Sequence, residues 1–346
     1  IYQNIFINDN IGPLMNCPDG LTTICSLPEP YASFEEFVNA GGSASDNCDL
    51  DESSFTWVSD MPSGDNIIRT YMIQDNCDND ASCEQIITFG ELNVEAHVYL
   101  EGSVINPGGV ESYILPMRTT LNSLRVLPGQ TYFNFFTGTV YSPAGQPYNG
   151  LPWNYNGTEG AGFDSHGILA QGSAGYNAGV VDWVLVSLRE QPDAEMLCRK
   201  AALLYNDGHI EFVDGGFDCC ELSLDSAYYV VVEHRNHLIV MSDMAYHSVN
   251  GILTYDFRTN EGYINDPFNF GAKSQKELLP NYPGIFAMFA GNGDQIKTVL
   301  DTEEDFIDIN FNDRTYWSGQ NGTTGRYRNG DFNMNGDCNY NDRTTW

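Results

Sequence analysis

The residues best equipped for chemistry lie near the carboxyl end. The run Asp331-Phe-Asn-Met-Asn-Gly-Asp-Cys-Asn-Tyr-Asn-Asp342 places side-chain oxygens at positions 1, 3, 5 and 12 of a twelve-residue loop. These belong to Asp331, Asn333, Asn335 and Asp342, and Gly336 occupies position 6, where the chain must turn sharply. Hard Ca2+ prefers about six to eight oxygens at roughly 2.4 Å. Alternate residues of an extended turn can aim their oxygens at one centre while the Asp337 carbonyl adds another. The spacing therefore predicts a calcium loop, in which a divalent ion offsets the mutual repulsion of clustered carboxylates.

An internal repeat extends the pattern. Asp308-Ile-Asn-Phe-Asn-Asp-Arg-Thr-Tyr-Trp317 recurs 29 residues later as Asp337-Cys-Asn-Tyr-Asn-Asp-Arg-Thr-Thr-Trp346, with seven of ten residues identical. In the first copy the upstream ligands can come only from Asn292-Gly-Asp294, across the insertion Gln295–Ile307. Its candidate set is Asn292, Asp294, Asp308, Asn310 and Asp313. Asp342 stands where an EF-hand has Glu, and this feature, with the pairing of half-motifs, resembles dockerin modules. The resemblance implies a small calcium-binding module over residues 290–346 whose loops are followed by helices. Asn312–Trp317 is long enough to begin one; the second copy stops at Trp346, so either the chain continues or its final helix is absent.

Other constellations carry less. His234 and His237 would share a face in a helix, but on the strand pattern Tyr228–Met241 they are expected on opposite sides, as core or surface residues. Cys219-Cys220 could be a vicinal redox pair, although a bond from one of them to Cys198 is preferred. No G-x-S-x-G, H-E-x-x-H or phosphate-loop motif is present, Gly291-Asn-Gly293 lacks the third glycine of a dinucleotide fingerprint, and acidic residues are too numerous to single out a glycosidase pair. A non-enzymatic protein is expected. Trp153, Tyr155 and Tyr148 could stack on a sugar, or pack their own loop.

The elements that must position these residues read as strands. Leu21–Cys25, Ser54–Ser59, Ile67–Gln74 and Glu84–Phe89 are short, and separated by turn clusters. One helical turn is expected in Tyr31–Ala40, with Ser33 as N-cap and Glu36 completing a capping box. Longer β-branched or aromatic runs follow at Val94–Glu101, Val180–Arg189, Met196–Leu204, Tyr228–Glu233, His237–Met241 and Ile252–Phe257. The expected fold is mainly β: an Ig-like β-sandwich over 11–90, a larger β-sandwich over 91–289, and the calcium-loop module. A Gly- and Asn-rich excursion, residues 141–179, interrupts the larger sandwich and reads as a functional or mobile loop. It holds the sequon Asn156-Gly-Thr158. Asp225-Ser226-Ala227 resembles a short bacterial O-glycosylation motif.

The first ninety residues carry a second resemblance. Cys17-Pro-Asp-Gly-Leu-Thr-Thr-Ile-Cys25, Phe34–Ala40 followed by Gly-Gly-Ser-Ala-Ser-Asp-Asn-Cys48, Arg69-Thr-Tyr71, Asp75-Asn-Cys77 and Cys83-Glu-Gln-Ile-Ile87 resemble the HYR-type immunoglobulin-like modules of secreted and surface Bacteroidota proteins. That resemblance implies disulfides across the sandwich, paired Cys48–Cys77 and Cys25–Cys83, with Cys17 unassigned. Residues 1–10 resemble the closing strand of such a module, so they are expected to end a preceding module or to complete a sheet edge, in this molecule or a neighbour. Residues 95–290 are similar to β-rich regions near the C-termini of large Bacteroidota proteins exported by the type IX route.

Charge narrows the partners. With 15 Lys+Arg against 47 Asp+Glu the net charge is -32, which opposes binding to nucleic acid or to an anionic membrane. The longest apolar run, Val180–Leu188, contains Asp182 and falls far short of the ~20 residues of a membrane-spanning helix, so no membrane insertion is expected. Nine cysteines, five of them in the first quarter without zinc spacing, point to an oxidising, extracellular or cell-surface location. The functional expectation is a structural or adhesive segment of a surface fibre, filament or adhesin, stiffened by disulfides and Ca2+. Its partners would be further copies joined by strand pairing, a surface glycan, or a host or cell-surface protein. The alternative is a carbohydrate-binding module attached to a secreted hydrolase.

Overall fold

A computed structural model describes residues 9–23, 27–47, 49–64, 66–90, 92–106, 112–136, 138–163, 176–213, 216–217, 222–224, 226–266, 271–295, 297–299, 305–307 and 309–345. The chain is mainly β and divides into two compact units, residues 1–92 with 218–224, and residues 93–217 with 225–346. Residues 290–346 belong to the second unit, so the expected boundary at 289 marks a change of motif within one packed body.

In the first unit, β1 (Leu14–Asn16), β2 (Leu21–Thr23), α1 (Phe34–Asn39), β3 (Ser43–Ser45), β4 (Leu50–Ser63), β5 (Asn66–Asp75) and β6 (Asp80–Phe89) form two sheets. The larger has the order β2-β6-β5-β4, with β2 parallel to β6 and the others antiparallel, and β1 pairs with β3. Along β5 the buried residues Arg69, Tyr71, Ile73 and Asp75 alternate with half-buried ones, the period-2 signature of a sheet with one covered face. Phe37 from α1 packs among Phe55, Tyr71, Ile73 and Met15 on that face. Ser33 caps α1 by accepting from Glu36 N–H, while the Glu36 carboxylate reaches back to Ala32 N–H. The disulfide of this core is Cys17–Cys83, which corrects the expected pairing of Cys83 with Cys25. Cys17 and Cys83 pack against the same core cluster, whereas β2 runs parallel to β6 with Thr23 opposite Phe89, past Cys83. Cys25 and Cys48 lie outside the described residues, as do residues 1–8 with most of the expected exchange strand.

The second unit comprises β7 (Asn93–His97), α2 (Glu101–Val104), α3 (Thr120–Leu124), β8 (Thr131–Asn134), β9 (Gly138–Tyr141), β10 (Val180–Arg189), β11 (Cys198–Tyr205), β12 (Ile210–Phe212), β13 (Ala227–His234), β14 (His237–Met241), β15 (Tyr246–His247), β16 (Ile252–Asp256), β17 (Lys276–Leu278), β18 (Tyr282–Ala287), β19 (Lys297–Val299), β20 (Asp305–Ile307), α4 (Phe311–Gln320), β21 (Thr323–Thr324), β22 (Asp337–Cys338) and α5 (Tyr340–Thr345). Its main sheet runs β12-β11-β10-β13-β14, antiparallel throughout. Every residue of β10 from Val180 to Leu188 is buried, so the central strand is covered on both faces. The expected strand Val94–Glu101 stops at His97, and its last residue opens α2 instead. A Cβ on Gly102 would lie 2.0 Å from the Phe332 carbonyl oxygen, so the chain there is bent beneath the carboxyl-terminal loop.

Candidate calcium loops and the buried cluster beneath them

In the second loop, Asp331 is fully buried, and its two carboxylate oxygens accept from Asn335 N–H at 2.9 Å and Gly336 N–H at 2.8 Å. Gly336 has φ +86°, the left-handed region that favours glycine at position 6. Asp342, at the start of α5, accepts from Asn333 N–H at 3.1 Å through Oδ1 and from Asn339 N–H at 2.7 Å through Oδ2. The Asn335 side chain accepts from Asp337 N–H. Asp337 turns its own carboxylate away, to Gly325 N–H at 3.1 Å, which leaves the main-chain carbonyl as the ligand expected of it.

The first copy repeats this frame across its insertion. Asp313 accepts from Gly293 N–H (2.8 Å) and Asp294 N–H (3.1 Å) through Oδ1, and from Asn310 N–H (2.7 Å) through Oδ2. Asn310 accepts from Asn312 N–H as Asn339 does from Asn341 N–H, and with Asp313 it forms the capping box of α4. The structure thus brings Asn292-Gly-Asp294 to Asp313, as the repeat requires. Residues downstream of the insertion correspond at an offset of 29, those upstream at 39, and the difference is taken up around the β19–β20 hairpin. Asp308 lies outside the described residues.

Electrostatically the carboxylates are poised for a cation. Burial raises Asp331 to about 7, and nearby Asp342 adds to the rise against the pull of Arg235. Burial also raises Asp342 to about 6, against hydrogen bonds from backbone amides. Asp313 rises to about 6 by burial, with Asp294 contributing. A carboxylate buried without a counter-ion behaves in this way. Asn333 Oδ1, at position 3, is buried and accepts no hydrogen bond among the described residues. An orphaned buried oxygen is costly, and a hard cation would satisfy it.

The second loop is held from below by a cluster that the sequence signalled only as a charge inside an apolar run. Asp182, on the central strand and fully buried, accepts from Arg235 Nε (3.0 Å), His234 Nε2 (3.1 Å), Tyr327 Oη (2.5 Å) and Trp183 N–H (2.8 Å). Burial opposes its charge, but Arg235 and the His234 hydrogen bond prevail and bring Asp182 down to about 2. His234 and His237 correct the expectation of opposite faces. They close a two-residue hairpin at Arg235-Asn236, so they are cross-strand partners with Nδ1 atoms 2.9 Å apart. His237 Nε2 accepts from Gly102 N–H, so neutral His237 carries its proton on Nδ1 and can donate to His234. Burial lowers the pKa of both imidazoles. From the same hairpin Asn236 Nδ2 donates to the Asp331 carbonyl at 2.6 Å and the Arg235 guanidinium to that of Arg328, while Arg118 donates to that of Asn333 at 2.8 Å.

No family model, curated protein or solved structure matches this chain.

The remaining expected site residues are dispersed. Trp153 is buried edge-to-face against Tyr148, whose hydroxyl donates to the Trp183 carbonyl, so neither ring is free to stack on a sugar. Tyr155 is half-buried and donates to Glu159. The excursion is therefore packed onto the sheet through residue 163, and residues 164–175 lie outside the described residues. Asn156 is exposed and Ser226 half-buried. Cys198 is disulfide-bonded; Cys219 and Cys220 lie outside the described residues. Cys77 is exposed, and Cys338 is a buried thiol pushed up to about 12 by burial and by Asp342.

Among the described residues, three carboxylates approach within 4.8 Å of one another in the first unit, at Asp9, Asp46 and Asp75. Asp75 already accepts from Cys77 N–H and from the backbone and side chain of Asn79, and Asp9 accepts from Ile11 N–H and Asn47 Nδ2.

Proposed function

We propose that the chain is a structural or adhesive segment of an extracellular or cell-surface protein, stiffened by Ca2+ at its carboxyl-terminal loops and by disulfides. The observation that carries this reading is the orphaned, buried Asn333 Oδ1 beside two buried carboxylates of raised pKa. Asp331, Asn333, Asn335, the Asp337 carbonyl and Asp342 would hold one ion. Asn292, Asp294, Asp308, Asn310 and Asp313 would hold a second, in the manner of the dockerin-like repeat. Bound calcium would supply charge neutralisation, fixing both loops against the Arg235-Asn236 hairpin and the large sheet. The Cys17–Cys83 disulfide supports an oxidising compartment. The same proposal includes an HYR-type module in the first ninety residues, a type IX-exported β-rich region over residues 95–290, and self-association by strand pairing at residues 1–10. The test is calcium titration of the metal-stripped full chain by calorimetry, with thermal melting in calcium and in EGTA. Two ions per chain and a raised melting temperature are expected. Identical melting in the two conditions, with no saturable heat, would sink the calcium reading.

A further inference from the structure

Arg326 and Arg328 stand on one wall of a cavity of about 290 Å3 whose remaining walls come from residues 128–149 and Tyr327. From Val126 to Thr158 the chain has no Asp, Glu, Lys, Arg or His, a run of 33 residues in a protein with about three acidic residues for every Lys or Arg. The two guanidiniums therefore face a wall without a single carboxylate. Neither takes part in an ion pair among the described residues. Tyr327 between them turns inward to Asp182, whereas Arg326 is half-buried and Arg328 exposed. In a molecule of net charge -32, two cationic side chains that form no ion pair among the described residues and face an uncharged wall mark a point of positive potential.

The opposite wall is rigid and partly apolar. Pro128, Pro143 and Pro147 fix the backbone, and the ring of Tyr141 is 38% exposed beside them. A preformed concavity of this volume sits at the small end of ligand sites and fits one or two sugar rings better than a length of peptide. The backbone behind the arginines is latched to the second loop, because Arg326 N–H donates to the Gly336 carbonyl and Gly325 N–H to Asp337 Oδ1.

We propose that this cavity binds an anionic sugar, its carboxylate or ester sulfate held by Arg326 and Arg328 and its pyranose face laid against Tyr141 and the prolines. Guanidinium forks match both oxyanions bidentately, and aromatic rings pack on the C–H face of a sugar. The inference names a target class for the adhesive reading and rests on it for biological meaning, while the binding itself can be measured without it.

The experiment is calorimetric titration of the full chain with trigalacturonate, a sulfated trisaccharide, neutral galactotriose and hexaglutamate, without free calcium. Saturable binding of an anionic sugar is expected, weakened at least tenfold by Arg326→Gln with Arg328→Gln, weakened by salt, and unchanged by Lys273→Gln. The tighter of the two anionic sugars identifies the source of the oxyanion. Failure of both to bind, equal binding of galactotriose or hexaglutamate, or full affinity in the double variant overturns the proposal. Should the double variant melt early, Arg328→Gln alone decides, since that side chain is exposed and supports no packing. Calcium stoichiometry measured on the same samples separates the two readings: lost sugar binding with intact calcium binding counts against the cavity alone.

Discussion

The two copies of the candidate calcium loop share a hydrogen-bonded frame but differ in what stands behind it. In both, the last carboxylate collects two or more backbone amides and starts a helix. The charges are exchanged upstream: Asn292 and Asp294 in the first copy, Asp331 and Asn333 in the second. Asn292 spends its Oδ1 on Gln295 N–H and leaves Nδ2 buried without a partner among the described residues, a donor set less suited to a cation than the orphaned oxygen of Asn333. The second loop also rests on the Asp182 cluster through Arg235 and Asn236. Repetition thus preserves the backbone scaffold of a loop, whereas its fitness for an ion depends on which side chains are left unsatisfied and on how firmly the loop is docked.

The sharpest way to break the comparison is to remove the support under one copy. Asp182→Asn leaves Arg235 buried without its counter-charge, and breaking such a pair costs about 3–5 kcal/mol. Chemical denaturation should register that loss, and calcium affinity should fall at the second loop while the first keeps its own. Equal weakening of both ions would mean that the docking is not specific to one copy.

Asp342→Asn and Asp313→Asn compare the copies directly. Each should abolish one ion, removing roughly 2–3 kcal/mol of stability when calcium exceeds its dissociation constant about a hundredfold. In EGTA the same substitutions should cost about 1–3 kcal/mol, because the amide oxygen can replace only one carboxylate oxygen and its NH2 group takes away the acceptor of a half-buried N–H, that of Asn339 or Asn310. Calorimetric stoichiometry checks the result; two ions retained in Asp342→Asn would exclude the second loop as a site.

Much of this was readable in the residues themselves. The repeat led to Asn292-Gly-Asp294 across the insertion, and β10 and β14 have the boundaries expected from their β-branched runs. What escaped were features set by contacts between distant segments. The facing of the histidine pair is not legible because Arg235-Asn236 carries no glycine to announce the hairpin turn that makes them cross-strand partners. Trp153 and Tyr148 stand in a Gly- and Asn-rich excursion, where composition says nothing about which rings a neighbouring sheet will cover. The choice of Cys17 over Cys25 depended on the packing of Cys17 and Cys83 against one core cluster, which spacing does not encode. Asp182 did leave a signal, a lone acid in a strand otherwise apolar from Val180 to Val186, and such a residue should be read as half of a buried pair.

Acidity offers a gentler comparison, between loop carboxylates of raised pKa and Asp182 of lowered pKa. In the unfolded chain all ionise near 3.8, whereas folded Asp331 holds its proton to about 7, and Asp342 and Asp313 to about 6. Between pH 4 and 7 the folded, metal-free state binds more protons than the unfolded chain, so stability should fall as pH rises through this window. Calcium binds the ionised form, so the stabilisation it gives should grow through the same window. Asp182 runs the other way: its contribution is full above 3.8 and is lost as pH falls toward 2. Denaturation of metal-stripped and calcium-loaded protein at pH 4.5 and 7.5 checks the first sign, and at pH 2.5 and 4.5 the second; a metal-free protein more stable at pH 7.5 than at 4.5 would contradict the first.

The smallest expected effect isolates the oxygen on which the calcium reading depends. Asn333→Ala removes Oδ1 but keeps the main-chain N–H to Asp342 and the carbonyl that receives Arg118. Without metal the loss should be under about 1 kcal/mol, because an acceptor with no hydrogen bond takes an unpaid desolvation cost with it when it goes. With calcium, one ligand is missing from the second site, and affinity there should drop about tenfold, worth roughly 1.4 kcal/mol. Asp294→Ala, at the corresponding position of the first copy, removes a charge as well as an oxygen and should weaken its own ion more. If Asn333→Ala instead destabilises the metal-free protein and leaves calcium affinity untouched, Oδ1 serves packing alone and the two loops differ in function as well as in support.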